Sequence, residues 1–212
     1  MALTLSPEET RILGCLIEKE RTTPDQYPLS LHGVTTACNQ STNREPVTCY
    51  EERVVVLGLA DLRGKQLVTQ LWGAGSRVQK YRHNLLDVFE LNPREVALLC
   101  VLLLRGPQTL SELRVRTERM FTFANTGEIE ECLRVLGESS APLVRVLPPR
   151  SGQKEKRFVQ LLSGEPDAPA EARPSTASAP TRVEILEAEV AMLKTEVAAL
   201  REEFAGFRKQ FE

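Results

Sequence analysis

Two segments decide the fold of this chain: SPEETRILGCLI at residues 6–17 and NPREVALLCVLL at residues 92–103. In each segment a capping residue, Ser6 or Asn92, comes directly before a proline and three residues before a glutamate, the pattern of a capping box at a helix N-terminus. Leucine and other apolar residues then recur at helical spacing behind each cap. Because cap and apolar stripe repeat together at an interval of 86 residues, the sequence predicts a duplicated module.

The residues after the first segment predict two more helices and a hairpin. A short helix is expected at residues 29–38, followed by the polar turn NQSTNREP at residues 39–46. A second capping box, from Thr48 to Glu51, begins a third helix that runs to about Arg63, with Gly64 as its natural stop. Strand-like runs at 66–71 and 78–82 flank a glycine-rich turn, which is typical of a β-hairpin.

The second copy predicts the same order of elements. Helices are expected near residues 110–116 and 127–138, then strands at 143–147 and 157–161 around a longer loop. Three helices followed by a hairpin is the order of a winged helix-turn-helix. We therefore expect a mainly α-helical α+β fold with small β-hairpins. It is built as two tandem winged helix-turn-helix domains, at residues 1–88 and 89–162, plus a C-terminal coiled-coil helix.

The C-terminal residues predict a linker and a coiled coil. Residues 163–180 are rich in Pro, Ala and Ser, which is typical of a flexible linker. From 181 to 212 apolar residues alternate at intervals of three and four, as in a dimer seam, and the seam residues are Val183, Leu186, Val190, Leu193, Val197, Leu200, Phe204 and Phe207. All four g-to-e′ pairs are opposite in charge, so we expect a parallel homodimer. The alternative is a single helix that docks on its own chain.

Composition bounds the class of protein. Hydrophobic residues make up 42% and charged residues 26% of the 212, which permits a buried globular core. The N-terminus has no charged leader, and the longest apolar run, residues 96–104, is too short for a membrane span, so we expect a cytoplasmic protein without membrane contact. The five cysteines have no CxxC spacing, and we expect them to be small buried residues of a reducing cytosol.

No motif of a catalytic site is found in the sequence. It has no phosphate-binding glycine loop, nucleophile elbow or HExxH helix, and Gly73-Ala74-Gly75 fits a hairpin turn better than a nucleotide loop. A zinc site needs about four clustered ligands, which the spacing of the cysteines and the two histidines does not provide. We therefore expect a protein without enzyme activity, cofactor or metal.

The positive charges are concentrated in the second module. Residues 1–90 carry a net charge of −1, residues 91–162 carry +3 and residues 163–212 carry −4. Several basic residues fall in turns, hairpins and second helices, where a winged module holds the phosphates of double-stranded DNA. These candidates are Arg44, Arg77, Lys80, Arg82, Arg114, Arg116, Arg119, Arg150, Lys154, Lys156 and Arg157, with His83 beside them on the first hairpin. Ordinary solvated surface charges are the alternative.

The expected third helices argue against the reading of base edges. The outward face of residues 127–138 carries mainly carboxylates, and the helix after Thr48 opens with Glu51 and Glu52. An acidic helix face is repelled by the phosphates that line a major groove. We therefore expect contacts mainly to the phosphate backbone.

The polar turn is the candidate functional surface of the first module. Eight consecutive polar or proline residues exceed what a turn between two helices requires, and the candidates are Asn39, Gln40, Asn43 and Arg44. The alternative is that the short polar side chains cap the neighbouring helices and satisfy free backbone groups.

Long strings in both modules resemble the YceH family of bacterial proteins. They are TTPDQYPLS (22–30), TACNQ (36–40), TNREPV (42–47), GSRVQKY (75–81) and LLLRGPQT (102–109). The resemblance implies a tandem winged-helix structure, and it extends to the C-terminal coil. It supplies no catalytic residues. The helix after Thr48 starts differently from the Ser/Glu-rich opening of the relatives, so the resemblance implies no role for its first turn.

Two functional hypotheses follow from these patterns. The first is a dimeric nucleic-acid-associated regulator that holds phosphates with its hairpins and turns. The second is an interaction or scaffolding protein that uses winged surfaces to bind a protein partner, as the condensin subunit ScpB does, whose layout this one resembles.

The predicted dimer is testable by sedimentation. We expect the full chain to sediment as a dimer and a 1–162 truncation as a monomer, because the predicted seam lies in the removed residues. A monomer in both cases would contradict the coiled-coil dimer, and a dimer in both would place the interface within the modules.

Overall fold

The computed structural model describes residues 3–72, 78–148 and 155–165. Within these ranges the chain has a mixed α and β structure with seven α-helices and two small antiparallel sheets. The chain divides into two compact units, Met1–Pro166 and Asp167–Glu212. The predicted coil and its seam, most of the predicted linker, and Arg77, Arg150 and Lys154 lie outside the described residues.

The first repeat, residues 5–88, has three main helices and a hairpin. Its elements are α1 (Pro7–Thr22), a 3-10 turn (Pro24–Gln26), β1 (Leu29–Ser30), α2 (Leu31–Cys38), α3 (Glu52–Gly64), β2 (Val68–Trp72), β3 (Gln79–His83) and the short α4 (Leu85–Val88). The second repeat, residues 92–165, follows the same order with α5 (Pro93–Arg105), α6 (Leu110–Thr117), α7 (Thr126–Glu138), β4 (Val144–Leu147) and β5 (Arg157–Gln160).

The two predicted capping boxes that open the repeats are present. The hydroxyl of Ser6 accepts from the N–H of Glu9 at 3.2 Å, and the Glu9 carboxylate accepts from the N–H of Ser6 at 2.6 Å. Asn92 and Glu95 make the same reciprocal pair at 3.1 and 2.9 Å. These caps satisfy backbone donors at the starts of α1 and α5, so both helices begin where the sequence predicts.

Two boundaries in the first repeat differ from the predictions. The expected capping box at Thr48 is wrong, because the Thr48 hydroxyl donates to the carbonyl of Cys38 at 3.1 Å and α3 begins only at Glu52. The second helix begins at Leu31, not at Leu29, because Leu29 pairs with Tyr81 in the sheet. In both places hydrogen bonding to another segment of the chain replaces the hydrogen bonds that a helix start would make locally.

The two sheets correspond to each other, with three strands in the first and two in the second. In the first sheet β3 lies between β1 and β2, with Leu29 opposite Tyr81. In the second sheet β5 pairs with β4, and a single bridge from Gln108 to Phe158 takes the place that β1 has in the first. The common order of helices and strands supports the duplication that the sequence predicts.

The first helices of the two repeats, α1 and α5, pack against each other and form the centre of the core. Residues 9–18 of α1 and 95–104 of α5 are all buried, where amphipathic spacing predicted one buried stripe. A Cβ on Gly14 would lie 2.8 Å from Leu104 Cδ2 and 3.2 Å from Leu103 Cβ. The thiol of Cys100 donates to the Gly14 carbonyl at 3.4 Å. The two repeats therefore share one core, and Gly14 permits the close approach.

This contact can be tested with two glycine substitutions. We expect Gly14→Ala to lower the free energy of unfolding by about 1–3 kcal/mol, because the added methyl overpacks the contact with Leu103 and Leu104. The matched control is Gly64→Ala in α3, where a Cβ meets no atom within 4 Å. The control should leave stability unchanged or raise it by up to about 1 kcal/mol, because alanine is the better helix former. Urea unfolding measures both, and equal midpoints would contradict the close approach.

Candidate nucleic-acid interface

Arg44 was predicted to offer its charge in an exposed turn, and the structure corrects this placement. Its side chain has 0% exposure, and its guanidinium donates to Glu18 Oε2 at 2.6 Å and to the Ala37 carbonyl at 3.0 Å. Burial acts to lower the pKa of Arg44, but the hydrogen bond with Glu18 holds this pKa above its usual value. Arg44 is therefore half of a buried ion pair and does not present a surface cation.

The rest of the polar turn uses its side chains for internal hydrogen bonds. Asn39 Nδ2 donates to the Tyr50 carbonyl at 2.9 Å, and Asn39 Oδ1 accepts from the Tyr50 N–H at 2.7 Å. Gln40 Oε1 accepts from Arg44 Nη2 at 3.0 Å. The N–H of Glu45 donates to the carbonyl of Leu104 in α5 at 2.9 Å. These bonds favour the structural account of Asn39 and Gln40, in which the turn fastens the first repeat to the second.

Asn43 lies at a small opening that we call the inter-repeat cleft. The cleft has a volume of about 30 Å³. Both repeats line it, and the lining residues are Glu18, Thr22 and Asn43 from the first with Val101, Leu104, Arg105, Arg116, Arg119 and Met120 from the second. The structure thus brings one residue of the predicted polar surface together with two of the predicted basic residues, Arg116 and Arg119.

Three guanidinium groups surround this cleft. Arg105 donates to Asn43 Oδ1, and burial together with the neighbouring charge of Arg116 lowers the pKa of Arg105 from its usual value. Arg116 donates to Gln108 Oε1 and lies 3.6 Å from a carboxylate oxygen of Glu112. Arg119 is exposed and makes no hydrogen bond or ion pair within the described part of the chain. Guanidinium groups that share one opening have remaining N–H donors for an oxyanion.

The cations on the first hairpin have unequal access to solvent. Lys80 is half-buried and Arg82 is exposed. His83 is buried, and its Nε2 lies 3.0 Å from Glu20 Oε2. Burial lowers the pKa of His83 from its usual value and outweighs the opposing effect of Glu20. His83 therefore does not add a cation to this hairpin at neutral pH, which corrects the prediction that placed it among the basic residues.

The second repeat keeps two further exposed cations. Arg114 on α6 and Lys156 beside β5 are exposed, and neither has an ion pair within residues 3–72, 78–148 and 155–165. Arg157 is only half-exposed, because it donates to the Pro107 carbonyl at 2.9 Å and lies 3.3 Å from Glu112 Oε2. Of the predicted contacts on this repeat that the structure describes, Arg114, Arg119 and Lys156 are the exposed ones.

The third helices do not present a basic surface. On α7, Arg134 bonds to both Glu131, at 2.6 Å, and Glu138. These bonds raise the pKa of Arg134, so its charge is already engaged by carboxylates. On α3 the outward face includes Val56 and Leu57, and Leu57 is 66% exposed. Neither face matches the phosphate potential of a major groove.

The cysteines and the possible metal ligands were also located in the described part of the chain. Cys49 is exposed, which corrects the expectation that all five cysteines are buried; the other four are buried. In the described ranges no group of three or more His, Cys, Asp or Glu is placed to hold a metal ion. None of the helices within these ranges is both long and apolar enough to cross a membrane.

The fold and the cleft define a class of mixed α and β protein with two copies of a three-helix and hairpin repeat. Residues 5–153 match the family described as protein of unknown function, DUF480. The chain belongs to this bacterial family, also named UPF0502, of which YceH is a member, and the predicted family is thereby confirmed.

Relatives within the family match nearly the whole chain. A UPF0502 protein of Geobacter sulfurreducens is 48% identical over 199 residues, which cover 90% of each chain. A UPF0502 protein of Geotalea daltonii is 50% identical over 183 residues, which cover 86% of this chain and 84% of the relative. A UPF0502 protein of Solibacter usitatus is 46% identical over 191 residues, which cover 88% and 91%.

The buried ion pair can be tested by a double-mutant cycle. We expect Arg44→Met to lower the free energy of unfolding by about 3–5 kcal/mol, because it leaves the Glu18 carboxylate buried without its partner. Glu18→Leu combined with Arg44→Met should be less destabilising than the sum of the two single changes. Arg53→Met, which breaks the exposed 2.8 Å pair with Glu51, is the control and should change stability by less than about 1 kcal/mol. A coupling energy as small as that change would contradict the buried pair.

Proposed function

We propose that this chain is a non-enzymatic, dimeric, nucleic-acid-associated regulator of the cytoplasm that holds the phosphate backbone of double-stranded DNA at the inter-repeat cleft. The main support for this proposal is that the guanidinium groups of Arg105, Arg116 and Arg119 line one opening. Arginine suits phosphate because its planar fork donates two parallel hydrogen bonds. A small opening suits a single phosphate oxygen rather than a whole small-molecule substrate.

We infer that each repeat is a winged helix-turn-helix. The order of three helices and a hairpin and the corresponding sheets support this assignment. In that arrangement the hairpins are the wings, and wings contact the sugar-phosphate backbone. The exposed cations Arg82 and Lys156 on the two hairpins then extend the phosphate contacts beyond the cleft.

The proposed binding has little sequence preference. Base edges in the major groove are read by bidentate Arg, Asn, Gln or Glu side chains on an inserted helix. The one arginine on the outward face of α7 is paired with Glu131 and Glu138, and α3 presents Val56 and Leu57. Contacts to phosphates alone respond to charge spacing and to the shape of the duplex.

The proposed dimer would make a weak site effective. A parallel coiled coil joins two copies of the cleft, and the second copy then binds at the high effective concentration set by the linker. One cleft with a few phosphate contacts is a weak binder at physiological salt. Paired clefts give the assembly an affinity that one chain lacks.

A protein-binding or scaffolding function without DNA contact is the second candidate, and a specific observation favours it. Leu57 on α3 is 66% exposed and Trp72 at the end of β2 is 67% exposed. Aromatic and aliphatic side chains that stay exposed are typical anchors of protein interfaces.

The proposed DNA contact is testable by fluorescence anisotropy with a labelled duplex of random sequence. We expect binding that weakens steeply between about 50 and 200 mM salt, because counterions are released from the phosphates. Arg105→Gln combined with Arg119→Gln should lower the affinity and reduce the slope of log K against log salt by about 2.

The matched control for this experiment is Arg134→Gln. It removes the same kind of charge from the second repeat, but from a guanidinium that is already paired with Glu131 and Glu138. We expect it to leave the slope unchanged. No binding of the duplex at low salt would overturn the proposal, and equal slopes for the double variant and the control would remove the cleft from it.

A further inference from the structure

A second site lies on the second repeat, in a groove between α7 and the hairpin of β4 and β5. The groove has a volume of about 640 Å³. Its floor is apolar and includes Leu133, Val144 and Phe158, and its lining also includes Glu130 of α7 and Lys156 beside β5. An adjoining cavity of about 360 Å³ shares Glu130, Lys156 and Phe158 with the groove, so the two are continuous. None of these residues lines the inter-repeat cleft.

The strand β4 has one unpaired edge. The N–H of Leu161 donates to the carbonyl of Leu143 at 2.8 Å. The alternation of an antiparallel pair then directs the backbone N–H and C=O groups of Arg145 and Leu147 toward β5. The backbone groups of Val144 and Val146 point away from β5. Phe158, opposite Val146, agrees with this alternation because it exchanges both of its backbone bonds with Gln108. The N–H and C=O of Val146 therefore have no partner in the described part of the chain, and its side chain is 47% exposed.

This edge faces the helix side of the groove. The carbonyl oxygen of Val144 lies 3.2 Å from the position that a Cβ would take on Gly137 of α7. Gly137 and Val144 both line the groove, as does Val146 two residues further along the same edge. The absence of a side chain at Gly137 thus brings α7 close to one end of the edge, and Val146 is left for an incoming strand.

The charges around the groove favour a basic occupant. Among the lining residues Arg134 pairs with Glu131 and Glu138, and Arg145 pairs with Glu165, which does not line the groove. Three lining residues have no ion pair among the described residues: the carboxylates of Glu130 and Glu155 and the cation of Lys156. The groove and the adjoining cavity together are lined by four carboxylates and three cations, an excess of one carboxylate, although residues 91–162 as a whole carry a net charge of +3.

We propose that this groove binds an extended segment of a partner protein, which adds to β4 as a strand and alternates aliphatic with lysine or arginine side chains. Side chains of an added strand alternate between its two faces. Aliphatic ones then meet the floor at Leu133 and Phe158, and basic ones meet Glu130. Backbone bonds to Val146 supply affinity, and the carboxylates select the charge of the segment.

The experiment measures fluorescence anisotropy of a labelled peptide of alternating valine and lysine with the full chain. Val146→Pro removes the outward N–H donor at a position where an edge strand tolerates proline, and we expect at least about tenfold weaker binding. Glu130→Lys should weaken binding by about tenfold through charge reversal. Val115→Ala on α6 trims another exposed valine and should leave the affinity unchanged.

A second set of peptides keeps the proposal testable if Val146→Pro perturbs the fold. The same valine–lysine peptide with N-methyl groups at alternate residues loses its own strand donors and should bind at least about tenfold more weakly to the unaltered chain. Undiminished binding of the methylated peptide, or of Val146→Pro in folded form, would overturn strand addition. Equal binding of a valine–glutamate peptide, or no binding of any peptide, would overturn the basic occupant. No nucleic acid is present, so the outcome is independent of the proposed DNA contact.

Discussion

The close contact of α1 with α5 at Gly14 is the constraint on which the rest of the structure depends. Residues 9–18 of α1 and 95–104 of α5 are buried on every side, and each helix takes part of its cover from the other repeat. Packing the two helices against each other supplies this cover to both at once. The Cys100 thiol against the Gly14 carbonyl shows how close the backbones come.

The same contact fixes the inter-repeat cleft. Glu18 and Thr22 follow Gly14 on α1, while Leu104 and Arg105 follow Cys100 on α5, and all four line the cleft. The polar turn completes the arrangement, since the N–H of Glu45 bonds to the Leu104 carbonyl. The cleft is thus a consequence of core packing within one compact unit.

The sequence predicts local features of this fold well and non-local ones poorly. The caps at Ser6 and Asn92 are predicted correctly because all their bonds lie within four residues. Thr48 fits the same capping pattern and is wrongly predicted, because its hydroxyl bonds to Cys38 across the turn. Local patterns describe what a segment can do alone, and they omit a distant acceptor that competes for the same donor.

The candidate site shows the same limit more strongly. Arg44 in a polar turn is typical of a solvated cation, and only the position of Glu18 on α1 makes its burial tolerable. The sequence does not mark Arg105 as a candidate, because a cation in the last turn of a helix is already explained by its favourable interaction with the helix dipole. The role of Arg105 at the cleft depends on the approach of Arg116 from α6, which no spacing in the sequence encodes.

The second repeat separates its charges in a way that bears on both proposals. An acidic third helix and a basic cleft on one small body create opposite potentials at two sites, so a phosphate and a basic peptide are attracted to different places. Burial and the neighbouring charge of Arg116 lower the stability of the charged form of Arg105, as the direction of the Arg105 pKa shows. Asn43 nevertheless holds Arg105 in place, because the polar turn fixes Asn43 through the neighbouring buried Arg44. A cluster of cations held together by the fold is stabilised by any anion that enters it, and phosphate matches its guanidinium donors best.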